Sequence, residues 1–258
     1  MACDLRDAAR TAAVVRASAP DLVIHAQAMS NVDQCELEPD AAWEHNVRAL
    51  EHLVAALDPG RTWLVALSTD YVFDGRKGAP YDETDPPNPL GAYGRAKLAA
   101  ERVALGFPRG IVARTSTLFG AGRMNFCDHI VARASAGKPV DAFTDQVTSP
   151  TYTEDLAEAL DALGAAACHS RVEEVPRLVH VTNAGSASRV AFAERVVGLL
   201  GLPGTLIHRI RLADQPRPAP RPPYSAMTSR HLERLIGRTV RPWDDAVRAY
   251  LHHRRWLN

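Results

Sequence analysis

Thr62-Trp63-Leu64-Val65-Ala66-Leu67-Ser68-Thr69-Asp70-Tyr71-Val72-Phe73-Asp74-Gly75 begins as an apolar run and ends in hydroxyl and carboxyl residues. A strand points successive side chains to opposite faces. A run apolar at every position from Trp63 to Leu67 therefore needs cover on both faces, as in a parallel sheet flanked by helices. The polar residues come directly after it, at the carboxyl end of the strand. That is where ligands bind in open α/β sheets. One stretch thus speaks for both the fold and the site.

Working outward, a Pro-rich loop leads to Tyr93-Gly94-Arg95-Ala96-Lys97-Leu98-Ala99-Ala100-Glu101, predicted to lie in a helix running to about Gly106. Gly110-Ile111-Val112-Ala113-Arg114 reads as the next strand and residues 126–136 as a further helix. Upstream, Leu5, Ala8, Ala9, Ala12 and Val15 recur at helical spacing, and Pro20 closes that segment. Residues 21–26 form a short apolar strand that ends in Ala26-Gln27-Ala28. Residues 39–57 read as a helix with Pro39 in its first turn, closed by the turn Pro59-Gly60.

Strand and helix alternate, which predicts an α/β fold: a doubly wound, Rossmann-like parallel sheet with helices on both faces. Residues 1–137 are assigned to this cofactor-binding part. From Lys138 the rhythm loosens. Helices are expected at 153–163 (Thr153 as N-cap), 188–200, 230–235 and 243–251, with strands at 178–182 and 205–210 and a Pro-rich stretch at 216–223. Residues 138–258 are read as a smaller α+β lobe, mainly substrate-binding, with some chain returning to the sheet.

Composition narrows the partners. The chain has 258 residues, 46% hydrophobic and 23% charged, enough for a sizeable core. Lys+Arg and Asp+Glu both number 30, so nothing points to nucleic acid or a membrane surface. The apolar runs are far too short for a membrane span, and Met1-Ala2-Cys3-Asp4-Leu5-Arg6-Asp7 has no signal-peptide core, so a cytoplasmic protein is expected. Cys3, Cys35, Cys127 and Cys168 form no C-x-x-C pair and are expected to be free thiols. The histidines show no metal-ligand spacing, and no protein metal site is assigned.

A doubly wound fold normally opens with a strand, a Gly-rich turn and a helix that holds a pyrophosphate. Here no Gly precedes Gly60. Gly198, Gly201 and Gly204 do have G-x-x-G-x-x-G spacing, but they follow a helix and precede a strand-like run, the reverse of the required order. They read as the end of a helix. About one strand–helix–strand unit, on the order of 30 residues, is expected to be missing at the N-terminus. A sheet lacking that neighbour is expected to expose an edge and to be prone to aggregation.

Tyr93 and Lys97, four residues apart, share one face of their helix. With Thr69 upstream they could protonate or deprotonate an oxygen at a carbonyl carbon. A free phenol has a pKa of about 10; an ammonium one turn away is expected to lower it. Taken alone, Tyr93 and Lys97 read equally as a solvated helix face, and Thr69 as a strand-end turn residue.

These segments together resemble the extended short-chain dehydrogenase/reductases, and within them the dTDP-4-dehydrorhamnose reductase family. The resemblance begins at Asp4 and covers nearly the whole chain. Its most specific part is Ser68-Thr69-Asp70-Tyr71-Val72-Phe73-Asp74-Gly75, with Tyr93-x-x-x-Lys97 behind it. Residues 20–28, Val32-Asp33 with Glu36, Arg114-Thr115-Ser116, Asn125-Phe126, Asp145-Gln146 with Pro150-Thr151, and Arg221-Pro222 with Ser225 are similar to further family segments. The chain departs from the pattern at the missing Gly-rich turn, at His25 for the usual Asn, at Gln27 for the middle Ala, and at Thr148 for a usual Gly.

The resemblance implies reduction of a nucleotide-linked 4-keto-6-deoxy sugar with NADPH or NADH. Thr69, Tyr93 and Lys97 would be catalytic. Asp4, Leu5, Ala26, Gln27, Ala28, Tyr93 and Lys97 would hold the cofactor. Val32, Asp33, Asn125, Phe126, Arg221 and Ser225 would face the substrate. Arg221 and Ser225 read equally as a surface loop, and Asn125 and Phe126 equally as a helix cap and its buried neighbour. A Mg2+ ion carried by the substrate diphosphate and a homodimer both stay open. So do two other functions: a non-catalytic sugar-nucleotide-binding or regulatory subunit of the same fold, and a sugar-nucleotide epimerase or dehydratase.

Overall fold

The computed structural model describes residues 3–237 and 239–257. Helix α1 (Ala8–Ser18) leads into strand β1 (Leu22–His25). Two short helices follow, α2 (Val32–Leu37) and α3 (Pro39–Trp43); a π turn (Glu44–Arg48) joins α3 to α4 (Ala49–Ala56). The predicted helix over 39–57 thus forms with a π turn inside it. Then come β2 (Trp63–Thr69), α5 (Ala92–Gly106), β3 (Gly110–Thr115), β4 (Leu118–Phe119) and α6 (Phe126–Ser135). The remainder runs β5 (Val140–Phe143), β6 (Val147–Thr148), β7 (Thr151–Tyr152), α7 (Thr153–His169), β8 (Leu178–His180), β9 (Ala187–Ser188), α8 (Arg189–Leu199), β10 (Ile207–Ile210), α9 (Arg230–Ile236) and α10 (Trp243–His253).

The main sheet is four parallel strands in the order β1-β2-β3-β8. The double-sided apolar run sits where it must, with β2 paired on both edges, Leu64 to Val23 and Gly110. Leu64 and Ala66 pack with Leu50, Leu53, Ala100 and Ala104 of α4 and α5. Trp63 and Val65 pack on the other face with Leu156, Leu160 and Leu163 of α7 and Leu232 of α9. Fully burying an aliphatic side chain contributes about 1.5–3 kcal/mol, so this strand is the molecule's anchor.

A second core joins α6, α8 and α10 through Ile130, Phe192, Val196, Tyr250 and Leu251, with the parallel pair β5–β10 against it. Membership of the two cores does not follow chain order. α6 precedes residue 138 yet packs into the second core, whereas α7 and β8 follow it yet pack against or join the main sheet.

Local corrections have plain causes. Thr153 is the first helical residue of α7 and Tyr152 its N-cap, with no side-chain cap bond. The α7 helix also extends to His169, beyond the expected 163. Gly201 adopts φ +66° just past α8, the left-handed position that ends helices. All four cysteines are free, with Cys35 and Cys127 buried. Among the described residues no helix is long and apolar enough to cross a membrane.

Candidate active site

β2 ends at Thr69, and a single 3-10 turn (Asp70–Val72) begins there. Thr69 shapes that turn itself: its Oγ1 accepts from the Tyr71 amide at 3.2 Å and donates to Asp70 Oδ1 at 3.2 Å. Asp70 is buried, and its other carboxylate oxygen accepts from Ser225 Oγ at 2.5 Å. Burial raises the Asp70 pKa, opposed by bonds from Ser225, Ser116 and Thr69. Further along, Gly75 takes φ +78° against Pro222 and Pro223, where a Cβ would come within 2.7 Å of Pro223 Cδ. The two quoted segments, 68–75 and 221–225, are therefore one packed unit.

Helix α5 delivers Tyr93 to this turn. Its first amide, Ala92 N, donates to Glu36 Oε2 at 2.6 Å, so a residue of α2 caps it. At Gly94 a Cβ would lie 2.3 Å from the Tyr71 carbonyl oxygen, so only glycine lets the helix come this close. The Tyr71 and Tyr93 rings meet edge to face at 5.8 Å. Burial raises the Tyr93 pKa well above its ordinary value, and the neighbouring Thr69 hydroxyl acts to lower it.

The expected lowering of Tyr93 by Lys97 is not what the structure shows. The buried Lys97 donates from Nζ to the Leu67 carbonyl at 2.7 Å. Burial brings its pKa down to about 8, with Glu101 one turn further on acting to raise it. Glu101 is itself held, accepting from Ser68 Oγ (2.6 Å) and from Arg114 Nε and Nη2 (2.8 and 2.7 Å). Half-buried Tyr93 and buried Lys97 and Glu101 thus make one stripe along α5, facing the end of β2.

Two clefts adjoin. The first has a volume of about 540 Å³ and is lined by Val32, Thr69, Tyr93, Asn125 and Phe126 among others. The second, about 390 Å³, is lined by Gln146, Arg217 and Arg221 and shares Tyr71, Phe126 and Arg189 with the first. The first cleft thus gathers Val32, Thr69, Tyr93, Asn125 and Phe126, which the sequence reading had expected at one site, and Arg221 lies next door in the second.

Other expected site residues stand differently. Ser225 is fully buried beneath the site with its hydroxyl on Asp70, so it supports the turn and does not face a substrate. Asn125 caps α6 through bonds from Cys127 N and Asp128 N, completing a capping box with Asp128, while also lining the cleft. Asp33 holds Arg221 at 2.9 Å. Ala26 and Gln27 are exposed after β1, and Ala28 is half-buried. The loop there is fixed by Asn46, which exchanges two hydrogen bonds with the Met29 backbone (2.8 and 3.1 Å). Asp4 and Leu5 line neither cleft: Asp4 pairs with Arg6, which holds its carboxyl down to about 2, and the Leu5 carbonyl lies 3.1 Å from His52 Nδ1.

The reading from sequence missed Arg189, Arg217, Asn46 and the capping role of Glu36. Arg217 lies with Arg209, Arg211 and Arg221 in a locally basic stretch that is visible in the sequence; the other three carry no local signal. His25 is buried, with the Gln27 amide nearby but no hydrogen bond of good geometry at either ring nitrogen. Burial, with Lys97 repelling its cation, brings its pKa down to about 4.

Comparison with known proteins bears on this arrangement. The family model described as RmlD substrate binding domain matches residues 1–255. The dTDP-4-dehydrorhamnose reductase of Mycobacterium tuberculosis (strain CDC 1551 / Oshkosh) is 37% identical over 251 residues, covering 95% of this chain and 80% of that protein. The spore coat polysaccharide biosynthesis protein SpsK of Bacillus subtilis is 35% identical over 238 residues, covering 91% and 80%. Among solved structures, a dTDP-4-dehydrorhamnose reductase from Clostridium acetobutylicum superposes with a TM-score of 0.89 at 29% identity, over 98% of this chain and 87% of that one. The Bacillus anthracis enzyme of the same name, in complex with NADP, gives 0.88 at 27% identity over 97% and 86%.

Proposed function

Because this chain belongs to the RmlD substrate binding domain family, we propose that it is a reductase of a nucleotide-linked 4-keto-6-deoxy sugar, of the dTDP-4-dehydrorhamnose reductase type, with NADPH or NADH as reductant. The observation that carries this reading is the meeting of the Thr69 hydroxyl and the Tyr93 phenol in one cleft wall, with buried Lys97 one helical turn behind.

The residues present fit a nicotinamide nucleotide. His25 keeps two buried ring nitrogens unpaired at the end of β1, and Lys97 has one hydrogen bond for three donors. Lys97 and Tyr93, the exposed segment Ala26-Gln27-Ala28, and more distantly Asp4 and Leu5 are the residues that would hold it. When bound, it supplies the hydride for the carbonyl carbon.

The chain's own groups handle the charge that develops on oxygen. Thr69 turns its single hydroxyl proton from Asp70 to the substrate oxygen and so fixes its orientation. Tyr93 protonates that oxygen as the alkoxide forms. Its burial-raised pKa keeps the proton on the phenol until then, and an alkoxide is basic enough to take it. Lys97, held one turn behind by the Leu67 carbonyl, keeps its remaining donors for the cofactor. Arg217 and Arg221, in the second cleft, bind the substrate diphosphate. A Mg2+ ion would arrive with that diphosphate; among the described residues no group of three His, Cys, Asp or Glu side chains is placed to hold one.

The test is NADPH consumption by the purified chain with a dTDP-4-keto-6-deoxy sugar. Tyr93→Phe should lower kcat by about 100-fold or more while the protein stays folded; undiminished turnover in that variant would overturn the assignment. Product formed with no net NADPH consumption would favour an epimerase or dehydratase. Absence of both NADPH binding by calorimetry and turnover would favour the non-catalytic subunit.

A further inference from the structure

The two clefts share a wall, and Arg189 is the charged residue in it. Three other enclosed arginines, by contrast, each hold a carboxylate. Arg114 has both oxygens of Glu101, Arg221 has Asp33 at 2.9 Å and the Ala219 carbonyl at 2.8 Å, and Arg254 has Asp128 at 3.1 Å. Arg189 has only a long 3.4 Å contact from Nε to the neutral Gln146 Oε1. Its guanidinium lies over the Phe126 ring, 5.2 Å from the centroid. Among the described residues no carboxylate comes within ion-pair distance of it.

A half-enclosed cation without a counter-charge is costly to desolvate. Burial accordingly lowers the Arg189 pKa; Tyr71 and Asp70 oppose that fall, and Arg217 and Arg221 add to it. A guanidinium offers five donors in one plane, suited to two oxygens of a phosphate at once. Here all but one are unengaged. Such a residue is completed by an anion that enters the cleft.

We infer that Arg189 binds the sugar-linked phosphate of a nucleoside-diphosphate sugar, while Arg217 and Arg221 hold the phosphate on the nucleoside side. The direction of the ligand rests on the reductase reading above. The reacting carbonyl must reach Thr69 and Tyr93, which line only the first cleft, whereas Arg217 and Arg221 line only the second. The phosphate attached to the sugar then lies at the shared wall. Arg189 ties the sugar to its diphosphate and so fixes how far the carbonyl extends toward Tyr93.

The experiment is calorimetric titration of the full chain with thymidine diphosphate and with thymidine monophosphate, for wild type, Arg189→Gln, Arg189→Lys and Arg217→Gln. Arg189→Gln should weaken the diphosphate by about 10- to 100-fold and the monophosphate by less than about threefold. Arg189→Lys should recover part of that loss, and Arg217→Gln should weaken both ligands. Equal weakening of both ligands by Arg189→Gln, or unchanged diphosphate affinity, overturns the assignment, as does a wild type that binds neither. The reductase reading fails separately: wild type that binds the diphosphate with the expected Arg189 dependence but reduces no keto sugar refutes the reaction and leaves the anion contact standing.

Discussion

Thr117 sits in the wall of the first cleft with φ +39°, a left-handed conformation that a β-branched residue rarely adopts. Its carbonyl accepts from the Thr151 amide at 3.1 Å, where β4 begins to pair with β7, so the backbone is held there by its neighbours. Such strain costs of order 1–3 kcal/mol. Thr117→Gly should therefore raise stability by about 1 kcal/mol after glycine's own entropic penalty, read as a higher urea midpoint at unchanged slope. A lower midpoint would show that the side chain's packing outweighs the strain. Thr69, Tyr93 and Lys97 show how far single residues can be read. Tyr93 and Lys97 were legible from their spacing, but the balance between them was not. Spacing says an ammonium is near a phenol; it does not say that the phenol is desolvated or that the lysine is bonded to Leu67.

At the scale of elements, the site depends on how closely α5 docks on the turn after β2. Gly94 makes that approach, with Tyr71 O and Pro89 Cβ at 2.3 and 2.9 Å from where a methyl would stand. Gly94→Ala should push the start of α5 away, cost about 1–3 kcal/mol as overpacking does, and reduce kcat because Tyr93 is the preceding residue. Gly106, at the other end of the same helix, has nothing within 4 Å of its would-be Cβ. Gly106→Ala should be neutral or stabilising by up to about 1 kcal/mol. Thermal melts and initial rates on the two variants separate a docking role from a general intolerance of side chains; equal effects would refute it. Helix α2 escaped the reading of the sequence because its six residues are too few to show a period. Its signal was Asn31, whose side chain accepts from Gln34 N at 3.1 Å, a cap visible only as a residue type.

The molecule as a whole balances 30 basic against 30 acidic side chains, so its acid sensitivity is set by where titratable groups lie. His25 is held down to about 4 chiefly by burial and then by Lys97, and His180 down to about 3 chiefly by burial and then by Arg114. In the unfolded chain both titrate near 6.5. As pH falls below 6.5 the unfolded state takes up protons that the folded state refuses, so stability decreases. The His25 share is lost between about 6.5 and 4, and above 6.5 neither group contributes a slope. Each such proton corresponds to about 1.4 kcal/mol per pH unit. His25→Asn should flatten the fall between pH 6 and 4.5 by up to that amount, measured by urea unfolding at each pH. An unchanged slope would mean the ring is not excluded from its proton.

The doubly wound sheet and the central place of residues 62–69 were determined by the sequence alone, whereas Asn125 and Phe126 were expected beside Thr69 and Tyr93 only through the family resemblance. Periodicity and strand-end position are local properties that fold class follows directly. What only the tertiary structure decided depends on contacts between residues far apart in the chain. Ser225 is 155 residues from Asp70 and Asp33 is 188 from Arg221, so no spacing rule relates them. The same holds for the two cores that cut across chain order, and for Arg189. Its solitary charge is defined by which carboxylates the fold leaves out of its reach.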